Sequence, residues 1–241
     1  MPKFPPASQM GPVGRACDLF VKRALDVAAA GTAMAMLALP FAAIGVAIKL
    51  ESPGPIFYRG GRIGLHGKEF QLFKFRSMRV STGGPTTTST HDPRITKVGA
   101  VLRRFKLDEL PQLINVLLGE MSLVGPRPQV AWCVARFTED ERAVLEVRPG
   151  ITDWASMKFH NEEEIIAASG IADADAAYLQ LIHPEKTRLQ LAYVRSRNVL
   201  LDLRIIADTV RTLVRTRSKT TSPSAESEGV MGGAHSERAA A

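Results

Sequence analysis

The sequence predicts a mainly helical α/β chain: a re-entrant membrane helix, a small β-hairpin-containing domain, and amphipathic helices at the membrane interface. Three observations carry this prediction. The run from Val27 to Ile48 holds no charged residue, short apolar segments near Tyr58 and Phe75 are separated by turn residues, and helical apolar spacing returns after Leu107 and again after Leu203.

A chain of 241 residues can bury one core. The expected organisation is a loose Pro- and Gly-rich tail over 1–14, one domain over 15–217, and a C-terminal tail over 218–241 too poor in apolar residues to order itself. With 45% hydrophobic and 23% charged residues the composition is ordinary, but the net charge of +7 asks for an acidic partner. Nucleic acid, anionic lipid and phosphorylated metabolites all qualify on charge alone. Cys17 and Cys133 lie far apart and lack the clustering of a zinc site or a disulfide framework.

The apolar run, within a helix expected over about 24–50, is long enough to reach across a hydrocarbon core of about 30 Å. Pro40 near its centre removes a helical hydrogen bond and favours a break. Basic residues stand on both sides, Arg15, Lys22 and Arg23 before it and Arg59, Arg62, Lys68, Lys74, Arg76 and Arg79 after it, so both flanks read as cytoplasmic. A helix that enters, turns at Pro40 and returns satisfies both facts; a spanning helix, a signal sequence and a buried core helix are the alternatives.

Ser52-Pro53-Gly54-Pro55 ends the helix, and Ile56 to Tyr58 with Phe70 to Phe75 predict a hairpin turning at His66-Gly67, with Phe73 and Phe75 on one face and Lys74 and Arg76 on the other. Ser81 to Thr90 reads as a flexible loop. Leu110, Leu113, Ile114 and Leu117 predict one apolar helical face. Leu203, Ile206, Val210, Leu213 and Val214 predict another, with Arg204, Arg211 and Arg215 on a separate stripe; such a helix lies on an anionic membrane or packs on the core.

The residues suited to chemistry cluster between Asp92 and Gln129. Asp108 and Glu109 are expected at the opening of a helix whose first turn tolerates Pro111. Alone, such a pair is ordinary capping. Arg103 and Arg104 precede it, and Gly125-Pro126-Arg127-Pro128 and Arg148-Pro149-Gly150 each present an arginine from a stiff turn, which suits a bidentate grip on phosphate. Adjacent carboxylates can hold Mg²⁺ against a diphosphate, and an ionised carboxylate can itself attack phosphorus. His66, His91, His160, His183 and His235 are scattered and form no nucleophile–base set; there is no Walker loop and no G-x-G-x-x-G after a strand.

Lys22-Arg23-Ala24-Leu25-Asp26, Ser52-Pro53-Gly54-Pro55, Lys74-Phe75-Arg76-Ser77-Met78, Asp92-Pro93-Arg94-Ile95-Thr96, Leu107-Asp108-Glu109-Leu110-Pro111-Gln112-Leu113, Met121 to Pro128 and Val147 to Thr152 together resemble the bacterial sugar transferase family, the monotopic polyprenyl-phosphate phosphoglycosyl transferases. The resemblance runs from about Arg15 to Arg217. It implies that Asp108 is the nucleophile that takes a phosphosugar from a UDP-sugar and releases UMP, before undecaprenyl phosphate collects it. It also implies that Glu109, with Asp108, binds Mg²⁺, and that Arg127, Arg103 and Arg148, joined by Lys74 and Arg76, hold phosphates. The implied setting is the cytoplasmic face of the bacterial inner membrane, among anionic lipids and downstream glycosyltransferases, in exopolysaccharide, capsule or O-antigen-type assembly. Asp153-Trp154-Ala155, where members commonly have Gly-Trp-Ala, and an expanded segment from Met157 to Arg188 containing Asn161-Glu162-Glu163-Glu164 depart from the pattern and leave the sugar open. The extra spanning helices of larger members are expected to be missing.

Two other classes compete. A nucleic-acid-binding module fits the charge but has no helix-turn-helix, zinc-finger or RNP signature, so no nucleic acid is expected as a partner. A non-catalytic membrane scaffold of a polysaccharide assembly complex fits the apolar helix.

Overall fold

The computed structural model describes residues 11–79 and 92–219, with side chains through Thr212. Most of the expected tails, the loop from Ser81 to Thr90, and the side chains of Leu213, Val214 and Arg215 lie outside the described residues. The fold is mainly helical with two small sheets.

Helix α1 (Pro12–Glu51) runs 40 residues, about 60 Å at 1.5 Å per residue. It starts inside the stretch read as a loose tail, with Pro12 at a position where no amide partner is needed. Pro40 lies within it, and the chain is helical on both sides of that proline. Only 11% of the most apolar 18-residue stretch of α1 is buried by the rest of the protein. Phe20, Met36, Leu39, Val46 and Leu50 are exposed. So much uncovered apolar surface on one helix marks a membrane protein.

Both ends of α1 are tied to the same folded body. On the early side, Lys22 donates to the Val124 carbonyl at 3.0 Å and to Asp202 at 2.5 Å. Arg23 donates to the Val116 carbonyl, and Asp26 accepts the Leu123 amide at 3.0 Å. On the late side, Glu51 accepts the amides of Lys97 and Val98, and Ile48 packs with Phe75 and Leu102. Between them, Ala30 is buried against Phe70, Leu72, Leu113, Val116 and Met121. A helix held along one face by a single body cannot act as a flexible tether.

Strands β1 (Phe57–Ile63) and β2 (Glu69–Phe75) form the expected antiparallel hairpin, longer in its first strand than Ile56 to Tyr58. The turn uses positive φ at His66 and Gly67. Phe57 pairs with Phe75 and touches both Phe73 and Phe75, which sends Lys74 to the other face. Helix α2 (Lys97–Arg104) starts with the Thr96 hydroxyl accepting the Gly99 amide, a cap worth about 1 kcal/mol.

Helix α3 (Gln112–Leu118) corrects one expectation. Its buried residues are Gln112, Leu113, Asn115 and Val116, so of the face read from Leu110, Leu113, Ile114 and Leu117 only Leu113 is fully buried, Leu110 and Ile114 are half-buried, and Leu117 is exposed. The reason is Asn115, fully buried, which accepts the Phe73 amide at 3.0 Å and donates to the Gln71 carbonyl at 2.8 Å. That bond pair turns α3 and locks it to β2.

Strands β3 (Ser122–Val124) and β4 (Gly150–Thr152) form a parallel pair that the sequence patterns did not announce. Helices α4 (Ala131–Val134), α6 (Glu162–Ala168) and α7 (Ala174–Leu181) enclose a core around Cys133, Ile166, Tyr178 and Ile182. Helices α5 (Trp154–Lys158), α8 (His183–Ser196) and α9 (Val199–Lys219) surround Tyr193, Leu201 and Ile205. In α9, Leu201, Asp202 and Ile205 face the core, while Leu203 and Val210 stay exposed. Those two residues of the expected apolar face therefore do not pack on the protein.

Replacing Asn115 by leucine keeps the branched shape but strands the Phe73 amide and the Gln71 carbonyl. Denaturant unfolding of Asn115→Leu should show a loss of about 2–3 kcal/mol.

Candidate active site

After α2 the chain turns through Lys106, whose φ of 55° is left-handed, into a single 3₁₀ turn, Leu107–Glu109. Asp108 and Glu109 stand on this turn, one step ahead of α3, with Pro111 between them and the helix proper. The pair therefore precedes the helix that was expected to carry it.

Glu109 is held from two sides. Lys74, projecting from β2, donates to Oε1 at 2.8 Å, and Arg127 donates to Oε2 at 3.1 Å and also to Oε1 through its other nitrogen. Burial alone would push this carboxyl upward. Arg127 and Lys74 outweigh it and hold Glu109 well below the usual carboxylate range. The same pairing raises Arg127.

Asp108 is treated in the opposite way. It is 7% exposed, its Oδ1 is buried with no hydrogen-bond partner among the described residues, and its Oδ2 lies 4.0 Å from Lys74. Burial raises its pKa; Lys74 opposes this, and the neighbouring Glu109 charge adds to it. The two adjacent carboxyls are thus driven apart, Glu109 firmly ionised and Asp108 raised and unsatisfied.

The loop carrying Arg127 is placed by backbone contact. A Cβ on Gly150 would lie 2.0 Å from the Gly125 nitrogen, and one on Gly125 would lie 2.4 Å from the Arg148 carbonyl oxygen. Only glycine at both positions lets the two Pro-containing turns press together, with Gly125 and Gly150 amides bonded to Thr152 and Pro126 carbonyls.

The structure brings Lys74, Asp108, Glu109 and Arg127 together, keeps Arg103 nearby, and turns Arg76 and Arg148 to backbone carbonyls elsewhere. Arg76 is buried and donates to the carbonyls of Ile48, Ser52 and Pro53, closing the end of α1. Arg148 donates to the Gly119 carbonyl at 3.0 Å, at the end of α3. Arg103 donates to Glu163 of α6 at 2.5 Å and lies near enough to Asp108 to favour its charged form. The sequence patterns give Asn115, Glu163 and Arg62 no site role. A lone asparagine in an apolar helical segment was the available signal for the first; nothing in the spacing links Glu163 or Arg62 to the pair.

A model of the family described as bacterial sugar transferase matches residues 17–216. The chain is 35% identical over 200 residues to the UDP-N-acetylgalactosamine-undecaprenyl-phosphate N-acetylgalactosaminephosphotransferase of Aeromonas hydrophila, covering 81% of this chain and 44% of that protein. It is 36% identical over 200 residues to the UDP-glucose:undecaprenyl-phosphate glucose-1-phosphate transferase of Escherichia coli K12, covering 79% of this chain and 39% of that one. It is 38% identical over 206 residues to the exopolysaccharide production protein PSS of Rhizobium leguminosarum bv. phaseoli, covering 80% of this chain and 94% of that protein. The chain thus spans less than half the length of the first two relatives and nearly all of the third.

The opposed shifts have opposite effects on stability. Glu109, lowered on folding, contributes stability that is complete above the unfolded value of about 4.3 and is lost as pH falls toward its folded pKa. Asp108, raised on folding, destabilises the fold at neutral pH while ionised. Asp108→Asn should therefore raise the thermal midpoint at pH 7. Glu109→Gln should lower stability by about 3 kcal/mol, since it strands two partly buried cations, and should flatten the acid decline in a pH series of melts.

Proposed function

The chain belongs to the bacterial sugar transferase family, and on that premise we propose that it moves a sugar-1-phosphate from a UDP-sugar to undecaprenyl phosphate through an intermediate on Asp108. An Asp108 carboxylate oxygen attacks the phosphorus that bears the sugar. The bond from that phosphorus to the bridging oxygen breaks, and UMP leaves with the electron pair. An oxygen of undecaprenyl phosphate then attacks the same phosphorus, the acyl phosphate bond breaks, and Asp108 returns as carboxylate. The sugar C1–oxygen bond stays intact throughout, so anomeric configuration is retained.

The observation that supports this reading most is the division of labour in the pair. Glu109 takes the cations, leaving Asp108 Oδ1 buried, unpartnered and of raised basicity, as suits a nucleophile. Arg127 and Lys74, fixed by Glu109, supply positive charge beside the phosphorus. Arg103 adds charge from the Asp108 side.

Mg²⁺ fits this donor set. Among the described residues there is no cluster of three or more His, Cys, Asp or Glu side chains that could hold a metal, and Asp108 and Glu109 are the carboxylates that would supply the protein's share of the shell. When bound, the ion would neutralise diphosphate charge, taking its other ligands from phosphate and water.

The domain sits on the cytoplasmic face of the inner membrane, where nucleotide-sugars are made, and α1 enters and leaves by that face. The anchoring of both ends of α1 on one body supports this. Its product would pass to downstream glycosyltransferases as the first membrane step of an exopolysaccharide, capsule or O-antigen-type glycan.

UMP release measured across a panel of UDP-sugars with undecaprenyl phosphate should find at least one active donor, and Asp108→Asn should abolish it; release that survives in this variant contradicts the reading. Because burial raises Asp108, the acid limb of the rate at limiting donor should lie above the ordinary aspartate value of about 3.9, and Lys74→Met should move it higher still. Single cysteines at Arg15 and Tyr58 should both resist a membrane-impermeant reagent added to intact cells, and labelling at either would rule out re-entrance.

A further inference from the structure

Arg62 is a cation near Glu109 that neither carboxylate of the pair holds. Lys74 and Arg127 bond Glu109, and Arg103 bonds Glu163. Arg62 is half-buried, yet its hydrogen bond is to the carbonyl of its own neighbour, Gly61, at 2.8 Å. Among the described residues no carboxylate lies within ion-pair distance of it.

Its position is set by the sheet. Arg62 stands opposite Phe70 in the hairpin, and the next residue, Ile63, donates its amide to the Gln129 carbonyl at 2.9 Å. That bond lays the end of β1 along the loop that presents Arg127, two residues before Gln129. Arg62 consequently feels the field of both Arg127 and Glu109, and burial together with the Arg127 charge makes its own charge costly to keep. Lys74 and Arg127 are both taken up by Glu109 and Arg103 by Glu163, so among the described residues Arg62 is the guanidinium near Glu109 that no carboxylate engages. Arg127 spends its fork on Glu109, and Arg62, within the field of both, has its own fork open.

We propose that Arg62 and Arg127 flank a seat for a phosphoryl oxyanion beside Asp108, with Arg62 supplying the open fork. A guanidinium suits this because its planar donors match two phosphate oxygens, whereas an ammonium offers a single point of charge. Which phosphate takes the seat rests on the function proposed above: the donor's diphosphate and the lipid phosphate share this chemistry.

The test compares wild-type protein with Arg62→Gln and Arg62→Lys, as full chains in nanodiscs, using inorganic pyrophosphate, UDP and undecaprenyl phosphate as probes. Without ligand, Arg62→Gln should melt no lower than wild type, because the bond lost is to the adjacent Gly61 carbonyl while a costly partly buried charge is removed. The rise in midpoint that pyrophosphate gives wild type should largely vanish, with binding weakened about tenfold or more, the scale of a charge-assisted contact. Arg62→Lys should recover only part of it. Loss of the UDP effect assigns the seat to the donor; an unchanged UDP effect with a raised KM for undecaprenyl phosphate assigns it to the acceptor. A full pyrophosphate effect in Arg62→Gln, or none in wild type, overturns the seat. If no UDP-sugar yields UMP but pyrophosphate binding still requires Arg62, the proposed reaction fails and the seat stands.

Discussion

The shared carboxylate of Glu109 is the interaction on which the site depends. It fixes Lys74 from β2 and Arg127 from the turn after β3 at one point. Removing its charge would set two cations side by side, and keeping it prevents the adjacent Asp108 from finding a cation as close. One residue therefore organises positive charge while leaving the next one chemically hungry. Adjacent carboxyls in similar surroundings would share partners and titrate together; here burial and partner allocation separate them.

The scaffold serves that arrangement through few, specific contacts. Asn115 joins α3 to β2 within three residues of Lys74, and the mutual approach of Gly125 and Gly150 sets the loop of Arg127. The left-handed Lys106 lets the chain leave α2 and present Asp108 inward on a single turn. Helix α1 grips the far side of the same elements, with Arg23 on the end of α3 and Asp26 on β3, so the membrane-facing helix and the carboxylate pair share a frame. Arg76, placed by sequence among phosphate ligands, belongs to that frame, since it closes α1 from beneath.

The large elements were legible because their signals are long and one-dimensional. An uncharged run with basic flanks and a hairpin bounded by turn residues need no tertiary knowledge, and α1, β1 and β2 appear where expected, although α1 begins earlier. The buried face of α3 is shifted from the expected apolar stripe, keeping Leu113 but exposing Leu117, because Asn115 turns inward to bond β2. The carboxylate pair and Arg127 stood out through composition, but which cation meets which anion is decided across distances of dozens of residues. Spacing holds no record of Arg103 meeting Glu163, or of Arg148 turning to the Gly119 carbonyl. Identical Arg-Pro chemistry thus ends as a site arginine in one turn and a helix-end brace in the other.

The central claim is that Asp108, not Glu109, becomes covalently loaded. Intact-protein and peptide mass spectrometry of the enzyme incubated with an active UDP-sugar, without lipid acceptor, measures this directly. The account requires a mass increase equal to one sugar phosphate, mapped to Asp108 and discharged on adding undecaprenyl phosphate. An adduct mapped to Glu109, or UMP release that strictly requires the lipid and leaves no adduct, would contradict it.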